Sequence, residues 1–233
     1  QPLIFQGGSS TAARRMAGRS SDWFFTNGGT LDDIRPQVDQ VKGYAAEQGR
    51  TLKVGINAFV IARETEAEAR AVHREIVRLA DVEAVNGFAH AVKQAGASTA
   101  DGIGNWARSD FDDLVQPNDG FKTNLIGTPE QIAERIVAYK AIGVDLILAG
   151  FLHYQEEVEF FGRRVLPLVR ELEAARTVPA YRHAPGAAVP GPRCVDRNEH
   201  IFSVKNGAFA YFNEWWPRNS LTNSYLMNRL DRR

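Results

Sequence analysis

Apolar runs alternate with amphipathic stretches along the first three quarters of the chain. Leu3-Ile4-Phe5 is an apolar strand that runs into Gln6-Gly7-Gly8-Ser9-Ser10, a turn of small residues, and then a short helix near 10–18. A second strand, Asp22–Thr26, ends at Asn27-Gly28-Gly29, and Thr30 with Asp33 reads as a capping box opening a helix that stops at Gly49. That helix carries Ile34, Val38, Val41 and Ala45 on one face, with Pro36 in its first turn. Leu52–Ala62 is the longest predicted strand. Thr65 and Glu68 form a second capping box, for a helix running to about Asp81 whose apolar stripe leaves His73 structural. Residues 82–121 are predicted to be a helix over 83–95 and then an irregular, lid-like excursion. Thr128-Pro129-Glu130-Gln131 starts another helix, Val144–Phe151 is a buried strand, and the last helix spans about 155–175 with a kink at Pro167.

Four strand–helix units with near-continuous apolar strands predict a parallel sheet covered by helices, either doubly wound or half of a (β/α)8 barrel. After Thr177 the period ends. Four prolines between 179 and 192 read as a linker, and 193–233 as an unassigned tail with Trp215-Trp216 as a candidate subunit anchor. The expected division is therefore 1–176, a partial barrel, and 177–233, linker and tail.

Charge and cysteine content narrow the classes. Twenty-eight Lys and Arg balance 28 Asp and Glu, which provides no net field for nucleic acid or an anionic membrane. No apolar run is long enough to span a bilayer, and no signal peptide is read at the start. The single Cys194 makes neither an internal disulfide nor a thiolate metal site, so the cytoplasm is the expected compartment. His90 and His200 lack partners at ligand spacing, so no metal site is expected. A chain that opens at Gln1 directly on a strand is expected to be a piece of a longer protein.

The candidate chemistry sits at strand ends. The Gly8-Ser9-Ser10 turn before a helix has the makeup of a phosphate cradle, although a plain capped βα junction has the same composition. Arg14 and Arg15 follow as possible auxiliaries. Asn57 and Phe59 alternate with Ile56 and Ala58, so one pair faces the barrel interior and the other the helices. Phe151 follows the last strand, and His153 is the best-placed titratable group there. Trp106 either closes over a ligand or anchors the insertion, and Lys122 marks where the insertion rejoins the barrel.

The turn PLIFQGGSS, the strand VGINAFVIARET, the insertion, GTPEQIAERI and the closing AGFLHYQEEVEFFGRRVLPLVREL together resemble the C-terminal half of the bacterial-luciferase-like flavin monooxygenases. Within that family they resemble the sulfur-scavenging branch of alkanesulfonate and dimethylsulfone monooxygenases, over about residues 2–175. The resemblance implies a (β/α)8 TIM barrel, reduced FMN supplied by a separate NAD(P)H-dependent FMN reductase, O2 as co-substrate, and a homo-oligomer. It places the FMN phosphate at Gly8, Ser9 and Ser10, the substrate at Asn57, Phe59, Trp106 and Phe151, and catalysis at His153. Alkanesulfonate enzymes carry Arg, His and Tyr where this chain has Asn57, Phe59 and Phe151. Without a cationic partner a buried sulfonate is disfavoured, so the expected substrate is a small neutral organosulfur compound such as dimethyl sulfone, released as methanesulfinate and formaldehyde. The competing expectations are an inactive fragment or assembly piece, an alkanesulfonate monooxygenase, and an F420-dependent oxidoreductase on the same barrel.

Overall fold

The computed structural model describes residues 2–98, 104 and 106–175. The predicted linker and tail, with Cys194, His200 and Trp215-Trp216, lie outside the described residues. Strands β1 (Phe5–Gly7), β2 (Trp23–Thr26), β3 (Lys53–Phe59) and β6 (Leu146–Gly150) form one all-parallel sheet in the order β1-β2-β3-β6. Neighbours in the sheet follow chain order without reversal. A doubly wound sheet reverses its order at a switch point, whereas a barrel does not. The arrangement is half of a (β/α)8 barrel.

The intervening helices are α1 (Thr11–Ser20), α2 (Leu31–Ala46), α3 (Glu66–Arg78), α4 (Val82–Ala97), α5 (Phe111–Leu114) and α6 (Pro129–Ala141). The capping boxes at Thr30/Asp33, Thr65/Glu68 and Thr128/Gln131 all form. Pro36 is the sixth residue of α2 rather than part of its first turn. It is exposed, and so is Asp32, whose carbonyl loses the helical partner and faces water.

Val54, Ile56 and Ala58 of β3 are buried with Ile34, Val38 and Val41 of α2 and Ile132 and Ile136 of α6. The opposite, interior face carries Phe5, Trp23, Phe25, Gly55, Asn57, Phe59, Leu146 and Leu148 by strand parity and register. Phe5 stacks on Trp23 with ring centroids 5.3 Å apart, and Lys53 places its ammonium 5.3 Å from the Trp23 ring. At the edge of the sheet, Leu3, Ile4 and Phe5 are exposed.

Two elements differ from the sequence expectation. The strand predicted over 52–62 is two strands. The chain changes partners just after Val60: the Val60 N–H still donates to Gly150 of β6, the Ile61 N–H donates to Leu125, and β4 (Ile61–Ala62) pairs in parallel with β5 (Ile126–Gly127). Apolar periodicity runs through the break because both pieces are buried. The last helix begins as α7 (Tyr154–Phe160), widens into a π-turn at Phe161–Val165, and continues as α8 (Leu166–Ala175). The widened turn ends one residue before Leu166-Pro167, where a proline ring would meet the carbonyl of Arg163 in a regular helix.

Tyr139 of α6 is buried, and its hydroxyl donates to the Gly29 carbonyl at 2.6 Å, tying α6 to the β2–α2 loop. Burial, followed by the Asp33 charge, pushes its phenol well above the usual range. Tyr139→Phe strands a buried carbonyl and is expected to cost about 1–2 kcal/mol in urea unfolding. A loss near zero would show that Gly29 finds another donor.

Candidate active site

The C-terminal ends of β1, β2 and β3 hold most of the candidate chemistry. β1 ends at Gly7, and Gly8 follows with φ +125°, a conformation that suits glycine. A Cβ at Gly8 would lie 2.9 Å from that of Ala13, so the bare turn is what lets β1 run directly into α1. Ser10 is the N-cap of α1, its hydroxyl accepting from the Ala13 N–H at 3.2 Å. Gly8, Ser9 and Ser10 thus form a turn without bulky side chains at the positive end of a ten-residue helix. The two arginines beyond it are engaged elsewhere. Arg14 donates to Gln40 at 2.5 Å, and Arg15 stacks 5.5 Å from the Tyr44 ring, both against α2.

On β3, Asn57 and Phe59 are half-buried on the interior face, while Ile56 and Ala58 are buried toward the helices. Asn57 registers with Leu148 and Phe59 with Gly150. Phe59 meets Phe121 edge-on at 5.1 Å, and Phe121 in turn meets His73 at 4.7 Å. His73 packs on Phe121, and burial lowers its pKa.

Phe151 is corrected by the structure. It shares parity with Ile147 and Ala149, is 7% exposed, and packs against Phe161 at 5.6 Å on the helix side of the sheet. It therefore does not face the interior with Asn57 and Phe59. Trp106 is tied within the insertion: its indole N–H donates to the Pro117 carbonyl at 2.8 Å and its ring meets Phe88 edge-on at 5.8 Å. His153 is exposed at the N-cap of α7 and contributes no side-chain cap. It lines an open groove with Arg63, Glu64, Glu156 and Phe160, and none of Gly8, Ser9, Ser10, Asn57 or Phe59 lines that groove.

Sequence reasoning missed the returning limb of the insertion. Residues 116–123 lie across the ends of β2 and β3, where Gly28 donates its N–H to the Asn118 carbonyl at 2.9 Å. Asp119 is 1% exposed, with its backbone in the left-handed region (φ 53°), and its carboxylate accepts from the Ser109 hydroxyl at 2.7 Å. Lys122 is largely buried, with its ammonium 3.9 Å from Asp33. No local pattern marks this limb; a Gly-, Asp- and Asn-rich stretch reads as plain loop. Among the described residues no cluster of His, Cys, Asp or Glu could hold a metal ion, and no helix is long and apolar enough to cross a membrane.

This half-barrel, with a glycine–serine turn at the end of its first strand and an insertion folded over its C-terminal rim, has the form of a flavin-using barrel enzyme. The profile of the luciferase-like monooxygenases matches residues 1–146, and the chain belongs to that family. It is 69% identical over 175 residues to an FMNH2-dependent dimethylsulfone monooxygenase of Pseudomonas putida, covering 75% of this chain and 48% of that protein. It is 33% identical over 177 residues to a sulfoquinovose monooxygenase of Novosphingobium aromaticivorans, covering 71% of this chain and 49% of that one. Among solved structures, a riboflavin lyase superposes with a TM-score of 0.58 at 22% identity, over 78% of this chain and 49% of that one. The chain spans about half the length of the curated relatives it matches.

Proposed function

We propose that this chain forms the C-terminal half of the barrel of an FMNH2-dependent monooxygenase that oxidises dimethyl sulfone. The observation that carries the proposal is the 69% identity to the Pseudomonas putida dimethylsulfone monooxygenase across the described sheet. The residues present fit the cofactor. The bare Gly8 turn and the N-terminus of α1 provide backbone donors and a positive dipole for the FMN phosphate, with Ser9 and Ser10 beside them. Reduced flavin supplies the oxygen chemistry when bound. The chain's own part is to hold the phosphate, present the interior face, and exclude water under the insertion. Asn57 offers an amide to a sulfone oxygen, and Phe59 offers an apolar wall to a methyl group. Neither could neutralise a sulfonate, which favours a compact uncharged substrate.

The remaining walls come from a second four-stranded half, for which β1, with its exposed Leu3, Ile4 and Phe5, and β6 are the two open edges. A separate FMN reductase, a homo-oligomeric state and a cytoplasmic setting complete the reading.

The test pairs this chain with the N-terminal half of the Pseudomonas putida relative and supplies reduced FMN and O2. Formaldehyde release from dimethyl sulfone, with none of it lost on adding a short alkanesulfonate, is expected. Oxidation of the alkanesulfonate in preference to dimethyl sulfone would sink the substrate assignment. Failure of the paired halves to bind FMN in a fluorescence titration would sink the flavin site.

A further inference from the structure

We infer that Asp119 is a positioning residue, whose buried side chain ties the returning limb to Ser109 of the insertion where the limb backbone docks on the ends of β2 and β3, in a pH-dependent way, and so sets the Phe59 wall. The inference rests on the site reading above for its relevance to substrate, but not for its physics. The limb is held by one side-chain bond to the Asp119 carboxylate and by backbone bonds to the carbonyls of Asp119 and Asn118 beside it. The Ser109 hydroxyl donates to Asp119 at 2.7 Å, the Asp119 carbonyl accepts from the Lys122 N–H at 3.1 Å, and the adjacent Asn118 carbonyl takes the Gly28 N–H at 2.9 Å. Two residues further on, Phe121 carries the Phe59 ring edge-on. Shifting Asp119 therefore shifts the group that backs the interior face at the mouth of the site.

The carboxylate is almost completely buried, yet among the described residues no cation lies within ion-pair distance of it. The groups that face it are Ser109 and Asn27, the carboxylate of Asp113 on α5, and Lys122. Lys122 is shared with Asp33 of α2 at 3.9 Å, and that carboxylate also has Arg108 at 3.7 Å. Burial, reinforced by Asp113 and opposed by Ser109, Lys122 and Asn27, pushes the Asp119 carboxyl up from 3.8 to about 6. A raised carboxyl pKa means that the docked limb holds the proton more tightly than the free limb. Docking is therefore strongest in acid and weakens as the pH rises from 3.8 through about 6. At neutral pH the limb is held by a carboxylate charged at the expense of its burial, which leaves the insertion easier to lift.

Amide hydrogen exchange on the 233-residue chain tests this without any flavin, so its outcome is separate from that of the activity assay. The reporters are the amides of Gly28, Gly120 and Lys122, corrected for the intrinsic pH dependence of exchange, with Val38 of α2 as an internal control. Their protection is expected to fall about tenfold between pH 5 and 8 in the native chain. Asp119→Asn, which tolerates the left-handed backbone, should flatten that profile while keeping the limb docked. Ser109→Ala should lower protection of the same amides at each pH. A native profile as flat as that of Val38, or an Asp119→Asn profile that keeps the native slope, would overturn the inference.

Discussion

Gly28→Ala is expected to destabilise the chain by about 3 kcal/mol or more, at the upper end of what overpacking costs. The position lies between two backbones. A Cβ built there would come within 2.3 Å of the Asp119 carbonyl oxygen and 2.9 Å of the Asn57 carbonyl oxygen. Neither neighbour is the tip of a flexible side chain that can swing aside. One belongs to the limb and the other to the central strand β3, whose register is set on both sides by β2 and β6. The limb is the part that yields, because hydrogen bonds, the Lys122–Asp33 ion pair and the Phe121 contacts hold it, with no strand pairing. The substitution should break the Gly28–Asn118 bond and free the insertion from the rim, lowering the urea midpoint with little change in far-ultraviolet dichroism. In the paired-half assay it should reduce turnover more than it reduces flavin binding, since the Gly8-Ser9-Ser10 turn proposed for the phosphate is not part of the limb that moves. A loss below about 0.5 kcal/mol would mean that the limb does not press on β2 as described.

The second large effect is expected at Glu157. Its side chain is 10% exposed and forms a 2.7 Å ion pair with Arg63, while its other oxygen accepts from the Leu152 and His153 amides at 2.9 and 3.2 Å. Arg63 also donates to the Ala62 carbonyl at 2.7 Å. One carboxylate thus joins the end of β4 to the turn between β6 and α7 and caps the first turn of that helix. Glu157→Ala leaves a partly buried guanidinium without its partner and two amides without an acceptor, and is expected to cost about 3–4 kcal/mol. Glu157→Gln keeps an acceptor for the amides and should cost about half as much. A double-mutant cycle with Arg63→Met would isolate the ion pair, and coupling below about 0.5 kcal/mol would assign the stability to the amide bonds instead. Because His153 shares this latch only through its backbone, His153→Ala should leave stability nearly unchanged.

The capping boxes were legible because each is a bond between groups three residues apart: Thr30 with Asp33, Thr65 with Glu68, Thr128 with Gln131. The alternation of Asn57 and Phe59 with Ile56 and Ala58 was legible for a similar reason, since the pleat of a single strand decides it. The Gly8-Ser9-Ser10 turn, too, is local. Phe151 was placed wrongly because it lies one residue past the end of β6, where an apolar side chain suits a pocket wall and a helix interface equally. Only the packing of Phe161 against it distinguishes the two. Trp106 is equally ambiguous in the sequence, because its indole partner, the Pro117 carbonyl, is eleven residues away.

By itself, then, the sequence determined the four βα units, the helix starts, the bare Gly8-Ser9-Ser10 turn and the pairing of an amide with a phenyl ring on one strand face. Those follow from backbone propensity and from neighbours within a turn or a pleat. Tertiary structure alone decided the partner switch after Val60, the Arg63–Glu157 latch across 94 residues, and the return of the insertion onto Gly28 with Asp119 buried beneath it. In each of these, a polar group's partner is distant in the chain and is chosen by what the folded rim leaves unsatisfied, which no local spacing encodes.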